Sequence, residues 1–385
     1  MPLYELHVGS AAFWKRASGD MAAAKNRVLI QAMTFEGDAA GLAVADAIAA
    51  SPARERRVLV DDYTRHVIND TFLSLSRDPA LWAEAQATWA MFDRMQASGT
   101  RVRVTNPVGR NPLVYPLRNH KKLLVMDDVV WLGGINFSEH NFAWHDMMVR
   151  IENAAVADWL AGEFDADWRG EPAPTSAVFA GGLEIASMSG VGNEAAFSSL
   201  LDLFAGARET IEVVSAYPTF PFVDALAQSA RRGVDVTLYT PKPNNKPIVR
   251  DYLLGIARSS GLRIRLMPEM THVKAALIDG EVLIAGSSNF DFVSYRTNAE
   301  YVMATRDAGL IDDFVARLLA PASAASIEPD MAEYPMWRCR GAGLALKAAD
   351  VLVSRLRHGK RIAEWQGRAT PGSLAGPDLT PEPSA

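Results

Sequence analysis

Two short stretches of this chain carry residues whose types and spacing could move a phosphoryl group. In the first, NHKKLLVMDDVVWLGGIN, His120 is followed by Lys122 two residues on and Asp127 seven on, then by Gly133, Gly134 and Asn136. In the second, THVKAALIDGEVLIAGSSN, His272, Lys274 and Asp279 repeat the offsets, and Gly286, Ser287 and Asn289 follow. With seven histidines in the chain, one such match is expected by chance only about 0.03 times, and a second is far rarer.

The chemistry follows from the side chains. On an alternating strand, His and Lys at i and i+2 project from one face toward a common site. Asp127 and Asp279 fall where that strand ends and a turn begins, so they are expected to brace the hairpin through hydrogen bonds rather than touch substrate. The turn returns the chain to Gly134 and Asn136 in one copy and Ser287 and Asn289 in the other. There, missing or small side chains let backbone and amide approach a phosphate oxygen.

One such half-site has a nucleophile or an acid but not both. Two of them, facing each other, let one imidazole attack phosphorus to form a phosphohistidine while the other protonates the leaving oxygen and later deprotonates the acceptor. Lys122, Lys274, Asn136 and Asn289 would neutralise the non-bridging oxygens in place of a metal, so neither metal nor cofactor is expected. A nucleophilic imidazole also needs a carboxylate on its far nitrogen. Asp146 and Glu300, ten residues after Asn136 and eleven after Asn289, are the candidates; the competing reading makes them exposed acids at strand ends. His140 with His145 suggests a metal pair, but no cysteine or spaced carboxylate set completes it. His7, His66 and His358 have no partner pattern.

The elements that must position these residues also come in two copies. RVLIQAMTF, a helical stretch from Ala39 to Ala50 and RRVLVDDY read as strand, helix and strand; IEVVSAY, FVDALAQSARRG and VDVTLYTP repeat the order. SGTRVRVTNP and SGLRIRLMPE then each give a glycine stop and a strand leading toward a histidine motif. Trp82, Ala85, Trp89 and Phe92, at helical spacing after Asp78-Pro79, predict a helix that packs on the core or serves as a lid or lipid-facing surface. GEPAPTSAVFAGG, rich in Pro and Gly, suits a connector. The expected organisation is a first domain over 1–170, a linker over 171–182, a second domain over 183–320, a helical extension over 321–365 and a disordered tail over 366–385.

The totals set outer limits. A chain of 385 residues, 49% hydrophobic, can bury the core of two domains. A net charge of -6 argues against a surface devoted to phosphate backbone, so no specific nucleic-acid partner is expected. The single cysteine, Cys339, excludes an internal disulfide. Neither a signal peptide nor an apolar run long enough to span a bilayer is readable. A cytoplasmic monomer is expected, in peripheral contact with the inner face of the membrane. Leu344, Ala348, Val351, Leu352 and Leu356 form an apolar stripe beside Lys347, Arg355 and Arg357, open to packing against the protein or to docking on lipid.

At its motifs the sequence resembles the phospholipase D superfamily and, within it, the bacterial cardiolipin synthase type of phosphatidyltransferase. LRNHKKLLVMD leading to GGIN, THVKAALID leading to GSSNFD with Asn298 and Glu300, AMTFEGDAAG and HDMMVRIENAAV carry the likeness, which runs from about Phe13 to Arg317. The resemblance implies a duplicated, pseudo-two-fold α/β/α sandwich with a mixed sheet in each half and one active site between them. It also implies metal-free ping-pong transfer, with His120 as nucleophile, His272 as general acid and base, and a phospholipid as substrate. Hydrolysis by a phospholipase D and cleavage of DNA by a nuclease of the superfamily are the alternatives. In departure from strict repetition, the hairpin after Asp127 is one residue shorter than that after Asp279, and Gly134 stands where the second copy has Ser287.

Overall fold

The computed structural model describes residues 3–107 and 116–357. Within them the two halves share a seven-strand order, to which the second half adds one edge strand. The first sheet runs in the order Leu3–Val8, Met147–Glu152, Val129–Gly133, Leu123–Met126, Arg27–Ala32, Glu55–Asp61 and Arg101–Thr105. The second places Leu183–Ser189, Ala299–Thr305, Val282–Gly286, Lys274–Ile278, Thr210–Ser215, Asp235–Pro241 and Arg263–Met267 in the same order. In each, the last three strands are parallel and the rest antiparallel, giving the mixed sheet expected.

Alternation along the strands builds three large cores among the described residues. Val28, Ile30, Leu124 and Met126 face helices Ser10–Ala23, Ala39–Ala50 and Pro79–Ala97. Their neighbours Leu29, Leu123 and Val125 face the other way, into a core shared with Val214, Ala275 and Leu277 of the second sheet. Phe164 and Phe314, from the helices Ala154–Arg169 and Ala308–Phe314, fill that shared core. The halves are therefore joined by buried apolar surface, at about 25 cal/mol per Å² removed from water. The outer face of the second sheet packs on helices that include Asn193–Gly206, Phe222–Arg231 and Pro247–Ser260.

Helix ends follow their local signals. Asp78 caps Pro79–Ala97 by accepting from the Ala80 N–H, and Gly170 ends Ala154–Arg169 in the left-handed region that glycine enters without a Cβ penalty. The Trp89 and Phe92 face of Pro79–Ala97 is buried in the core.

Two expectations are corrected. The segment expected to be a connector contains the strand Thr175–Phe179, which pairs antiparallel with Leu183–Ser189 at the edge of the second sheet. Gly181 and Gly182, at φ 81° and 74°, make the turn, so the glycines that suggested a connector are a hairpin's turn. The helix Met336–Arg357 buries Cys339, Ala342, Leu346 and Val353, not the described part of the stripe singled out above; the Leu356 side chain lies outside the described residues. Leu344, Ala348, Val351 and Leu352 face outward, as does Trp337 on the same helix. The tail 366–385 and His358 lie outside the described residues. Among those described, no helix is long and apolar enough to cross a membrane.

Candidate active site

The two motif segments meet where the halves touch. His120 N–H donates to the Ala299 carbonyl at 2.9 Å, and His272 N–H donates to the His145 carbonyl at 2.7 Å, each a bridge from one half to the other. Each histidine is thus held by the backbone just before the opposite half's carboxylate candidate.

The side chains are paired crosswise as well. His120 Nδ1 lies 3.0 Å from both Glu300 carboxylate oxygens, and His272 Nδ1 lies 2.9 Å from Asp146 Oδ2. Both carboxylates are buried, which rules out the exposed-acid reading. Ser287 and Ser294 hydroxyls donate to Glu300, and the Met147 N–H donates to Asp146 Oδ1 at 2.8 Å. With Nδ1 engaged, Nε2 of each ring is left for a cleft that both histidines line.

Lys122 Nζ donates to the His120 carbonyl at 2.8 Å and Lys274 Nζ to the His272 carbonyl at 2.5 Å. Burial pushes these ammonium groups down, Lys122 to about 7 and Lys274 to about 8. Burial also takes His120 down to about 4 and His272 to about 3; the nearby lysines add to this and the paired carboxylates oppose it. Burial alone would raise Glu300, but His120 and Lys122 hold it below the usual carboxylate range. Near neutral pH both imidazoles are therefore neutral, and the Glu300 carboxylate beside His120 is charged.

The remaining expected residues divide. Asn136 and Asn289 line the cleft, which encloses about 460 Å³, and Asn289 Oδ1 is buried without a hydrogen-bond partner. Gly134 and Ser287 stand behind it. A Cβ on Gly134 would come within 2.5 Å of the Asp146 carboxylate, and the Ser287 hydroxyl is spent on Glu300. The Gly–Ser difference between the copies thus lies directly against the two carboxylates.

Asp127 and Asp279 do not reach the cleft. The Asp127 carboxylate accepts from the N–H groups of Lys25, Asn26 and Arg27 at 2.8, 2.9 and 3.0 Å; Asp279 does the same for Arg208, Glu209 and Thr210. Each aspartate ties its hairpin to the start of the neighbouring strand. Burial opposes the charge, but these donors hold both carboxyls below their usual range. Stabilisation of this sign is present above about pH 4 and lost as pH falls. Asp127→Ala is expected to cost about 1–3 kcal/mol in urea unfolding at pH 7, with a smaller difference from the parent at pH 3.

Several cleft residues gave no sequence signal. Asp61 pairs with Arg118 at 2.8 Å and accepts from the Asn119 N–H at 2.6 Å, which fixes the approach to His120. Trp144 and Tyr217 rings lie 5.2 and 6.0 Å from His272. Asp70, Asn245 and Lys246 line the same cleft. His145 reaches the opposite half only through its backbone and a 3.4 Å contact with Thr271, whereas His140 lies 3.8 Å from Glu36 and from Asp70.

The sequence matches the family described as cardiolipin synthase, PLD-like domain, over residues 19–168 and 200–319. Cardiolipin synthase A from Yersinia pseudotuberculosis and from Yersinia pestis are each 28% identical to it over 237 residues, 52% of this chain and 49% of theirs. The chain spans about half the length of the curated relatives it matches. Among solved structures, phosphatidylserine synthase of Haemophilus influenzae superposes with a TM-score of 0.69 at 17% identity, covering 92% of this chain and 95% of that one. Polyphosphate kinase of Porphyromonas gingivalis gives 0.56 at 12% identity, covering 91% and 56%. At such identities these two show a shared fold. Because the family match takes in both histidine motifs, their crosswise carboxylates and most of the two sheets, the chain belongs to the PLD-like domain family of cardiolipin synthase, within the phospholipase D superfamily.

Proposed function

We propose that this chain is a phosphatidyltransferase of the cardiolipin synthase type. His120 attacks the phosphorus of a phospholipid such as phosphatidylglycerol while His272 protonates the departing head group; the hydroxyl of a second lipid, deprotonated by His272, then resolves the phosphatidyl-histidine. The observation that carries this reading is the pair of buried imidazoles in one cleft, each oriented by the other half's carboxylate.

The electrostatics support a single anionic phosphodiester as the ligand. Lys122 and Lys274 supply the positive charge that many phosphoryl-transfer sites take from a metal. Burial and those lysines withhold a proton from both imidazoles. A phosphodiester adds the anion that favours protonation of the ring beside it, so substrate binding itself arms the general acid. Contact with the bilayer falls, in this reading, to the outward stripe of Met336–Arg357, whose buried face carries Val353 into the cleft lining. The protein then works as a peripheral monomer on the cytoplasmic face.

The test is to incubate the purified chain with phosphatidylglycerol in detergent and EDTA and to follow lipids by mass spectrometry. Cardiolipin and glycerol are expected. Phosphatidic acid alone would make the enzyme a hydrolase, and a folded protein that makes neither lipid yet cleaves DNA would overturn the reading in favour of a nuclease.

A finer test uses the asymmetry between the copies. Gly134→Ser installs the second copy's residue where the Asp146 carboxylate sits, displacing it and with it the His272 ring. Turnover is expected to fall about a hundredfold. Ser287→Ala, which removes a hydroxyl without adding bulk, is expected to fall less.

A further inference from the structure

The cleft is not symmetric about the two histidines, and the difference bears on which side the alcohol enters. Trp144 stands two residues before Asp146; in the same position before Glu300 the second half has Asn298. His272 therefore has an aromatic wall, with Tyr217 across from Trp144.

Against that wall lies a polar chain that crosses between the halves. The Tyr217 hydroxyl donates to Asn245 Oδ1 at 2.6 Å, and Asn245 Nδ2 donates to Asp70 Oδ2 at 3.0 Å. Asp70 sits at the tip of the hairpin joining Val67–Ile68 to Thr71–Phe72, where Asn69 and Asp70 both take positive φ, 47° and 57°. A turn of that kind holds its tip firmly, and the Asn69 side chain is tied to Glu84 at 2.9 Å. On the other side, the Asn244 side chain pins its loop by donating to the Ala216 carbonyl at 2.7 Å and accepting from the Lys246 N–H. Asp70 Oδ1, which also faces His140 Nε2 at 3.8 Å, and Lys246 Nζ are then an acceptor and a donor, both on the lining of the cleft that His272 shares.

Resting on the phosphatidyl-transfer reading, we propose that Asp70, Asn245, Lys246 and Tyr217 form the subsite for the alcohol that leaves and enters across His272, and that it selects an uncharged polyol over an amino alcohol. Asp70 and Lys246 suit the neighbouring hydroxyls of a glycerol head group, one donating and one accepting. An aromatic wall with a carboxylate would otherwise suit an ammonium. Here Lys246 Nζ already lies 4.4 Å from the Tyr217 ring centre and fills that place with like charge. In the step served by this subsite, a polyol hydroxyl oxygen bonds to phosphorus, the phosphorus–nitrogen bond to His120 breaks, and the hydroxyl proton passes to His272 Nε2.

The test uses phosphatidyl-p-nitrophenol as donor, whose leaving group needs no polyol site, with the full chain in detergent and equal concentrations of glycerol and ethanolamine. Release of p-nitrophenol reports the first step; the lipid products, resolved by mass spectrometry, report the acceptor. All products arise from one intermediate, so their ratios do not depend on how much active protein a variant supplies. Phosphatidylglycerol is expected to exceed phosphatidylethanolamine at least about tenfold. Asp70→Asn is expected to lower the ratio of phosphatidylglycerol to phosphatidic acid about tenfold, the effect of one charge-assisted hydrogen bond. Lys246→Met, leaving Asp70 and the aromatic wall open to a cation, is expected to shift product toward phosphatidylethanolamine. Release with no glycerol preference, or ratios unmoved by both substitutions, overturns the subsite alone. No release by the folded parent overturns the transfer reading and the subsite with it.

Discussion

Replacing either histidine by alanine should reduce turnover of a phosphatidylglycerol or phosphatidyl-p-nitrophenol substrate by about 10⁴-fold or more, while the far-ultraviolet circular dichroism spectrum and the urea midpoint stay close to the parent's. The size follows from losing a nucleophile or its proton partner outright. The two losses are also not additive, because attack by one ring and proton delivery by the other belong to one transition state; the double variant should be little slower than either single one. The variants should differ in what they accumulate. If His120 is the nucleophile, His272→Ala acting on the p-nitrophenyl donor, whose leaving group needs little protonation, should trap a phosphatidyl adduct on the peptide containing His120. His120→Ala should trap none. An adduct on His272 would reverse the roles, and full activity in either variant would end the shared-site mechanism.

The second large effect is expected at the carboxylates. Glu300→Gln and Asp146→Asn keep the shape of the side chain but remove the charge that fixes the tautomer of the facing ring, and each should lower kcat about 10³- to 10⁴-fold with a much smaller change in KM. Their assignments cross: Glu300→Gln should impair His120, a residue of the other half, so adduct formation should slow. Asp146→Asn should impair proton transfer at His272, so it should slow adduct formation far more with the natural substrate than with the p-nitrophenyl one, while breakdown of the adduct slows with both. Equal slowing of adduct formation from both substrates by Asp146→Asn would count against that division of roles.

The sequence made the motifs legible because their spacing is a local property: a histidine, a lysine two residues on, and an aspartate at the strand's end. Helices such as Ala39–Ala50 and Pro79–Ala97 were legible for the same reason, since caps and apolar period lie within a few residues of each other. Asp146 and Glu300 were found as candidates, but which ring each one serves was not readable, because that depends on how the halves dock. Nor could Asp70 and Asn245 be found, since 175 residues separate partners that meet only across the cleft. Gly134 misled for a subtler reason. A glycine beside a phosphate and a glycine making room for a carboxylate look alike in sequence, and only the position of Asp146 separates them.

Crosswise pairing of ring and carboxylate also constrains inheritance. A change at Glu300 is felt by a histidine 180 residues away, and a change at Asp146 by one 126 residues away, so neither half can drift without consequence for the other. Chimeras that exchange one half for a relative's should fail or succeed according to whether these few contacts are transplanted as matched sets. Yet joining both copies in one chain frees them from sameness. A pair of identical subunits must put the same neighbours beside both histidines, whereas here a tryptophan faces one and an asparagine stands in the corresponding place beside the other, so each side can be fitted to a different group of the reaction.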